Sequence, residues 1–172
     1  MKLIILNGPS GAGKSTLAER LHKDMPLSVL IEIDAWRRFI SGYREHTEES
    51  LALAYHFSLA AAEACLKAGT SVIIDKAVLE EGTFLDSLHA LGRECGADVY
   101  EFLLVAEKET LLKRADERGL APESLLTREK IIELGEKAHQ FKNGRSQAVV
   151  IDTEELSPDT VYDRVKEEIF QK

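Results

Sequence analysis

The sequence has 172 residues, a length typical of one domain. Its formal net charge is −8, with 44% hydrophobic and 30% charged residues, which is the balance of a globular chain. This acidic excess argues against general attraction to nucleic acid, and no apolar run is long enough to span a bilayer. Cys65 and Cys95 lack CxxC spacing, which disfavours a disulfide scaffold or a zinc knuckle. We therefore expect a cytoplasmic chain forming one domain over residues 1–172, with no membrane partner.

Short apolar runs alternate with amphipathic stretches along the chain. Strands are predicted at residues 2–7, 29–33, 71–75, 98–105 and 148–152. Helices are predicted at residues 14–24, 47–68, 83–94, 108–118 and 124–141, and from Ser157 and Pro158 onward. Ser157 is suited to cap that last helix and Pro158 to be its first residue. This alternation predicts one α/β domain built on a five-stranded parallel sheet.

The strongest motif is Gly-Pro-Ser-Gly-Ala-Gly-Lys-Ser at residues 8–15, which matches G-x-x-x-x-G-K-[ST] at every fixed position. An apolar strand precedes it and an amphipathic helix follows, as a phosphate-binding loop requires. Glycines let backbone N–H groups converge on phosphate oxygens, and the helix N-terminus faces the same anions. The predicted nucleotide-binding residues are Gly8, Pro9, Ser10, Gly11, Ala12, Gly13, Lys14, Ser15 and Thr16.

Two side chains of this motif carry chemistry of their own. Lys14 adds a full positive charge toward the β- and γ-phosphates and is predicted to be catalytic. The Ser15 hydroxyl is suited to ligate Mg²⁺. The sequence lacks the N-K-x-D guanine reader of GTPases, and it is short for a motor or transporter ATPase. A phosphotransferase that uses ATP and Mg²⁺ is therefore favoured.

The opening Leu-Ile-Ile-Leu-Asn-Gly-Pro-Ser-Gly-Ala-Gly-Lys-Ser resembles the small P-loop kinases. The resemblance is to the chloramphenicol phosphotransferase-like, gluconate kinase-like and shikimate kinase-like enzymes in particular. Strands that end at Asp34 and Asp75, and a closing Val-Val-Ile-Asp-Thr at 149–153, also resemble this group. The resemblance implies a three-layer P-loop NTPase fold with strand order 2-3-1-4-5, helices on both faces, and a helical lid over about 114–145.

Two acidic residues are predicted at the carboxyl edge of the sheet, where ligands bind in folds of this kind. Asp34 could accept the proton of a substrate hydroxyl or anchor the substrate, or it could cap a helix beginning near Ala35. Asp75 could hold Mg²⁺, or it could be a surface acid paired with Lys76. We predict Asp34 to be catalytic and substrate-binding, and Asp75 to be a metal ligand with Ser15.

Arginines of the predicted lid are candidates for contact with phosphate. Arg114 and Arg118 lie four residues apart, so they share one helix face, and arginine forks suit the charge of a phosphoryl transition state. The alternative is a solvated face paired with nearby acids. Arg145 is a weaker candidate for nucleotide contact.

The stretch from residue 36 to 57 holds five of the eleven aromatic residues together with three arginines. In the resembling kinases this region covers the phosphate acceptor, and we predict Trp36, Arg37 and Arg38 to bind it with Asp34. The sequence thus predicts γ-phosphoryl transfer from ATP to a hydroxyl of a small molecule, such as a sugar acid or a drug-like alcohol. The alternatives are a nucleotide or polynucleotide-end kinase, or a nucleotide-dependent switch. No pattern indicates an oligomeric state.

Overall fold

The computed structural model of the chain describes residues 1–79, 82–119 and 125–170. The strands are β1 (Lys2–Asn7), β2 (Val29–Glu32), β3 (Val72–Asp75), β4 (Asp98–Val105) and β5 (Ala148–Asp152). The helices are α1 (Lys14–Asp24), α2 (Ile33–Arg37), α3 (Thr47–Lys67), α4 (Thr83–Glu94), α5 (Lys108–Arg118), α6 (Arg128–Phe141) and α7 (Pro158–Phe170). Within these ranges no helix is both long and apolar enough to cross a membrane.

The five strands form one parallel sheet in the order β2-β3-β1-β4-β5. This confirms the predicted sheet, its strand order and the P-loop NTPase fold. β1 lies at the centre, with Leu6 beside Asp75 of β3 on one side and beside Phe102 of β4 on the other. Chain order reverses at β1, so a crevice opens beyond its carboxyl end, where the phosphate loop begins.

Side chains of β1 alternate between two hydrophobic clusters, as the two-residue period of a strand requires. Ile4 and Leu6 pack with apolar residues of α1, α5 and α7, whereas Leu3 and Ile5 pack with those of α3 and α4. Helix α6 contributes Ile131 to the first cluster and other residues to the second. Helices therefore cover both faces of the sheet, and the predicted three-layer arrangement is confirmed.

Several predicted boundaries differ from the structure, by one residue at the end of α3 and at the start of β3. β2 ends at Glu32, and Ile33 to Arg37 form a short helix, so Asp34 lies in a first helical turn instead of ending a strand. This turn is stabilised by contacts outside the turn itself. Ile33 is buried, and the Arg37 guanidinium donates a hydrogen bond to the Thr47 carbonyl of α3. Helix α6 starts at Arg128, with Thr127 as its cap, and position 124 lies outside the described residues.

Glu101 of β4 is a buried carboxylate that contacts helix α4. Its Oε2 lies 2.6 Å from His89 Nε2 of α4 and accepts a 2.9 Å hydrogen bond from Arg145 Nη2. Arg145 also pairs with Asp86 at 3.3 Å. Burial alone raises the pKa of Glu101, but the hydrogen bonds from His89 and Arg145 outweigh burial and hold this pKa below its ordinary value. Arg145 therefore neutralises the charge of the buried Glu101.

Replacing Glu101 with glutamine is expected to lower the free energy of unfolding by about 3–5 kcal/mol, because Arg145 loses its buried partner. Since folding lowers the pKa of Glu101, its stabilisation is fully present above the ordinary pKa of glutamate and is lost as pH falls through the lowered pKa. Denaturant unfolding of the wild type and Glu101→Gln between about pH 3 and 7 measures both effects.

Glu133→Gln is the matched control, because Glu133 also has two cationic partners but is only half-buried. Its stability should stay close to that of the wild type. An equal loss in both variants, or an unchanged acid dependence in Glu101→Gln, would contradict the role given to the buried network.

Candidate active site

A cavity of about 1100 Å³ opens beyond the carboxyl ends of the strands. The phosphate loop forms its floor, α2 and the segment after β3 form one wall, and α5 and the segment after β5 form the other. Residues of α6 also line it. The sequence-predicted residues that line it are Ser10, Gly11, Ala12, Gly13, Lys14, Ser15, Thr16, Asp34, Arg37, Arg38, Asp75, Arg114 and Arg118.

The phosphate loop adopts backbone angles that only glycine accepts easily. Gly8 and Gly11 have φ of 134° and 88°, and Gly13, which precedes α1, has φ of 96°. A Cβ atom on Gly8 would lie 2.2 Å from the Leu104 carbonyl oxygen, and one on Gly11 would lie 2.7 Å from that of Leu111. Gly8 and Gly11 therefore let the loop pack directly against β4 and α5, while Gly13 turns the chain into the helix.

The Asn7 side chain holds the first residue of this loop in place, a role that was not predicted from the sequence. Its side chain is fully buried, and its Oδ1 accepts hydrogen bonds from the backbone N–H groups of Gly8 and Val78, both at 2.8 Å. Its Nδ2 donates to the Val78 carbonyl at 2.7 Å. One amide thus joins the phosphate loop to the segment after β3. The available signal was a polar residue at the end of an otherwise apolar strand.

Lys14 is the cation at the centre of the loop. Its Nζ donates a 3.0 Å hydrogen bond to the Pro9 carbonyl across the loop. Burial lowers the pKa of Lys14, and the negative charges of Asp75 and Asp34 oppose that effect. The ammonium group therefore sits between the loop and two carboxylates, where a phosphate chain would contact it.

Ser15 and Asp75 are brought together as a pair of oxygen donors. The Ser15 hydroxyl donates a 2.7 Å hydrogen bond to Oδ2 of Asp75, which is only 8% exposed. Hydroxyl and carboxylate oxygens are the donor types that Mg²⁺ prefers. These two residues therefore fit a magnesium ion bound next to the phosphate loop.

Asp34 faces this group from α2, and its main partner is Lys76. Lys76 Nζ lies 2.6 Å from Asp34 Oδ1, and Arg37 Nη1 lies 4.0 Å from the same oxygen. Burial in the cleft raises the pKa of Asp34, but the charge and hydrogen bond of Lys76, with Arg37 and Lys14, outweigh burial and lower it overall. The side chain is nevertheless 67% exposed to the cavity. The pairing of Lys76 with Asp75 that the sequence left open is thus replaced by a pairing with Asp34.

Glu32 is a third acidic residue at this edge, and it was not among the predicted site residues. It lies opposite Asp75 in the register of β2 and β3, and it lines the cavity. Burial raises the pKa of Glu32, and the charges of Asp75 and Glu19 raise it further. Its position as the one acid in the run Val-Leu-Ile-Glu was the signal that could have found it.

The two predicted lid arginines both reach the phosphate loop. Arg118 Nη2 donates a 3.1 Å hydrogen bond to the Ser10 hydroxyl. Arg114 Nη2 donates to the Thr153 carbonyl at 2.7 Å, and its Nη1 lies 3.4 Å from the Gly11 carbonyl. Their shared helix face is therefore turned toward the phosphate loop.

Other predicted residues lie elsewhere. The pocket lining does not include Trp36, which packs against the second hydrophobic cluster. Gly8 and Pro9 lie beneath the loop surface and also do not line the cavity. Arg145 is held by Glu101 and Asp86 beneath α6, so the structure does not bring it to the nucleotide side. Its predicted nucleotide contact is inconsistent with this placement.

A glycine loop between the central strand and a helix, with a lysine and a serine–aspartate pair, defines a P-loop NTPase site. The chain belongs to the AAA domain family, because the model of that family matches residues 3–139. Comparison with curated proteins gives no match.

Several solved structures share the fold. A sugar kinase from Janibacter sp. HTCC2649 has a TM-score of 0.71 at 21% identity, covering 98% of this chain and 94% of that one. Deoxyadenosine kinase from M. mycoides has a TM-score of 0.62 at 18% identity, covering 99% and 100%. The tunicamycin resistance protein of Deinococcus radiodurans has a TM-score of 0.66 at 18% identity, covering 98% and 96%. At these identities the similarity concerns the fold.

Asn7→Ala is expected to weaken nucleotide binding by about tenfold or more and to destabilise the chain by about 2–4 kcal/mol. It removes the side-chain partner of three backbone groups, the N–H groups of Gly8 and Val78 and the Val78 carbonyl. A group left buried without a partner costs about 1–3 kcal/mol. Titration calorimetry with Mg-ATP and denaturant unfolding measure the two losses. Asn143→Ala, at an exposed asparagine, is the control and should change neither. Wild-type affinity in Asn7→Ala would contradict the bracing role.

Lys76→Met is expected to raise the pKa of the Asp34 carboxyl, because the positive charge that favours its ionised form is removed. A carboxyl-carbon NMR titration of Asp34 measures the shift directly. Lys67→Met removes a lysine that pairs with Glu63 at the same 2.6 Å distance but on the surface, and it should leave Asp34 unchanged. An unshifted Asp34 titration in Lys76→Met would refute the ion pair.

Proposed function

We propose that the protein is a kinase that transfers the γ-phosphoryl group of ATP to a hydroxyl of a small molecule. One observation carries the proposal: a carboxylate, Asp34, faces the phosphate loop across a cavity large enough for a nucleotide and an acceptor. Solved structures described as a sugar kinase and a deoxyadenosine kinase share the fold and support this reading. The likeness to gluconate kinase-like, shikimate kinase-like and chloramphenicol phosphotransferase-like enzymes remains a prediction.

The nucleotide would bind along the phosphate loop. Backbone N–H groups of the loop, the N-terminus of α1 and the Lys14 ammonium would hold the β- and γ-phosphates. Arg118, already in contact with Ser10 of the loop, would stabilise the charge that spreads over the transferred group. The contacts of Arg114 with Thr153 and Gly11 would hold α5 against the loop, so that Arg118 stays in position.

Ser15 and Asp75 would hold Mg²⁺ through their oxygens. When bound, the ion supplies neutralisation of charge on the phosphate oxygens. Asp75 is held in place by β3, whose neighbours β1 and β2 fix its register.

Asp34 would accept a hydrogen bond from the acceptor hydroxyl and orient its oxygen toward the γ-phosphorus. As the new O–P bond forms and the bond from phosphorus to the ADP oxygen breaks, the hydroxyl proton passes to Asp34. The lowered pKa of Asp34 then favours release of that proton to water, which restores the carboxylate. The residues of α6 that line the cavity, Lys130, Leu134 and Lys137, would help to exclude water from the reacting atoms.

The test is ADP formation from Mg-ATP with a panel of sugars, sugar acids, nucleosides and hydroxylated antibiotics. We expect one class to stimulate ADP formation and to yield its phosphate ester. Lys14→Met, Asp75→Asn and Asp34→Asn should each lower that stimulated rate by about 10²–10⁴-fold, the usual range for loss of a positioned catalytic group.

Asp98→Asn, at an exposed aspartate at the start of β4, is the matched control and should retain the wild-type rate. ATP hydrolysis that no alcohol stimulates, with the same rate in Asp34→Asn, would contradict the kinase assignment. That result would favour a nucleotide-dependent switch.

A further inference from the structure

The cavity has two sides, which the order of the strands separates. Because β1 is central, the ends of β2 and β3 lie on one side of the phosphate loop and those of β4 and β5 on the other. Asp34 belongs to the β2 and β3 side, together with α2, Tyr43, α3 and the segment after β3. An acceptor whose hydroxyl meets Asp34 must therefore occupy this side, which we call the acceptor side.

Most cations around the cavity already have partners. Lys76 is paired with Asp34 at 2.6 Å. Arg37 is buried, and its guanidinium donates to the Thr47 carbonyl at 2.8 Å and to the Ser50 hydroxyl at 3.1 Å. Lys130 and Lys137 of α6 both pair with Glu133, at 2.9 and 3.0 Å. These contacts hold the four cationic side chains in place and partly neutralise the charge that they could offer to a ligand.

Arg38 is different. It is exposed and lines the cavity, and its guanidinium forms no hydrogen bond or ion pair within residues 1–79, 82–119 and 125–170. Glu32 is the carboxylate on which its charge acts, but the two side chains do not form an ion pair. Arg38 follows α2 directly, with helical angles, and lies four residues after Asp34. The two side chains therefore leave the same side of this helical turn about 5–6 Å apart.

The rest of the acceptor side is apolar and partly aromatic. Leu51 and Tyr55 of α3 line it together with Leu79. The Tyr55 ring is stacked on Phe84 with centroids 4.0 Å apart and planes 12° apart, so its orientation is fixed before a ligand arrives. Such a wall suits a compact apolar or planar body in addition to the polar groups at α2.

We infer that the acceptor is an anionic alcohol, which carries a carboxylate or phosphate group a few bonds from the hydroxyl that Asp34 holds. Arg38 binds the anionic group through its guanidinium fork, and the body of the molecule lies against Tyr55. This inference rests on the proposed kinase function and adds the chemical class of the acceptor to it.

The test compares alcohols of similar shape with and without the anionic group. Gluconate against sorbitol and glycerate against glycerol form the carboxylate arm, and adenosine 3′-monophosphate against adenosine forms the phosphate arm. Binding is measured by calorimetry in the presence of Mg-ADP, and turnover by ADP formation from Mg-ATP. We expect the anionic member of at least one pair to be favoured by about 10–100-fold, as for a gained charge-assisted hydrogen bond.

Arg38→Gln should abolish that preference while leaving affinity for Mg-ATP unchanged. Arg93→Gln removes an exposed arginine from the last turn of α4, away from the cavity, and should keep the preference. If neutral alcohols are bound and phosphorylated as well as anionic ones, the inference is overturned while the kinase assignment stands.

If no compound is phosphorylated but anionic members bind selectively through Arg38, the proposed reaction fails and the anionic acceptor side stands. Absence of any charge preference in binding, or a preference that persists in Arg38→Gln, overturns it.

Discussion

The close approach of two glycines to their neighbours is the constraint on which the site depends. Gly8 and Gly11 place the phosphate loop directly against carbonyl oxygens of β4 and α5 at backbone angles that other residues disfavour. The loop can then hold its N–H groups toward the cavity, since the buried amide of Asn7 ties its first residue to the segment after β3. This packing lets the loop and the N-terminus of α1 line the same cavity.

The order of the strands determines where the charged side chains lie around the phosphate loop. The central β1 carries the loop and its lysine, β3 delivers Asp75 to Ser15, and α2 holds Asp34 across the cavity. Lys76 follows Asp75 directly but turns to Asp34, so one short segment serves both carboxylates. Its charge keeps Asp34 ionised and thus able to accept a hydrogen bond from an alcohol.

Much of this was predictable because it depends on local patterns. The glycine loop, the alternating strands and helices and the strand-end Asp75 are written in short stretches of sequence. The structure differs from the sequence-based predictions where contacts between distant segments determine the conformation. The helical turn at Asp34 depends on packing of α2 against α3, and Arg145 is diverted to Glu101, whose burial no local pattern reveals. Trp36 is partly buried and packs against the second hydrophobic cluster, because aromatic residues near a site can serve packing as well as binding.

Phosphorus NMR of a reaction with Mg-ATP and a mixture of small alcohols tests the central claim most directly, because it identifies the product as well as the loss of ATP. We expect a new phosphate ester resonance that grows in step with ADP, and no such resonance with Asp34→Asn. Formation of ADP and inorganic phosphate alone, equally in both proteins, would contradict it.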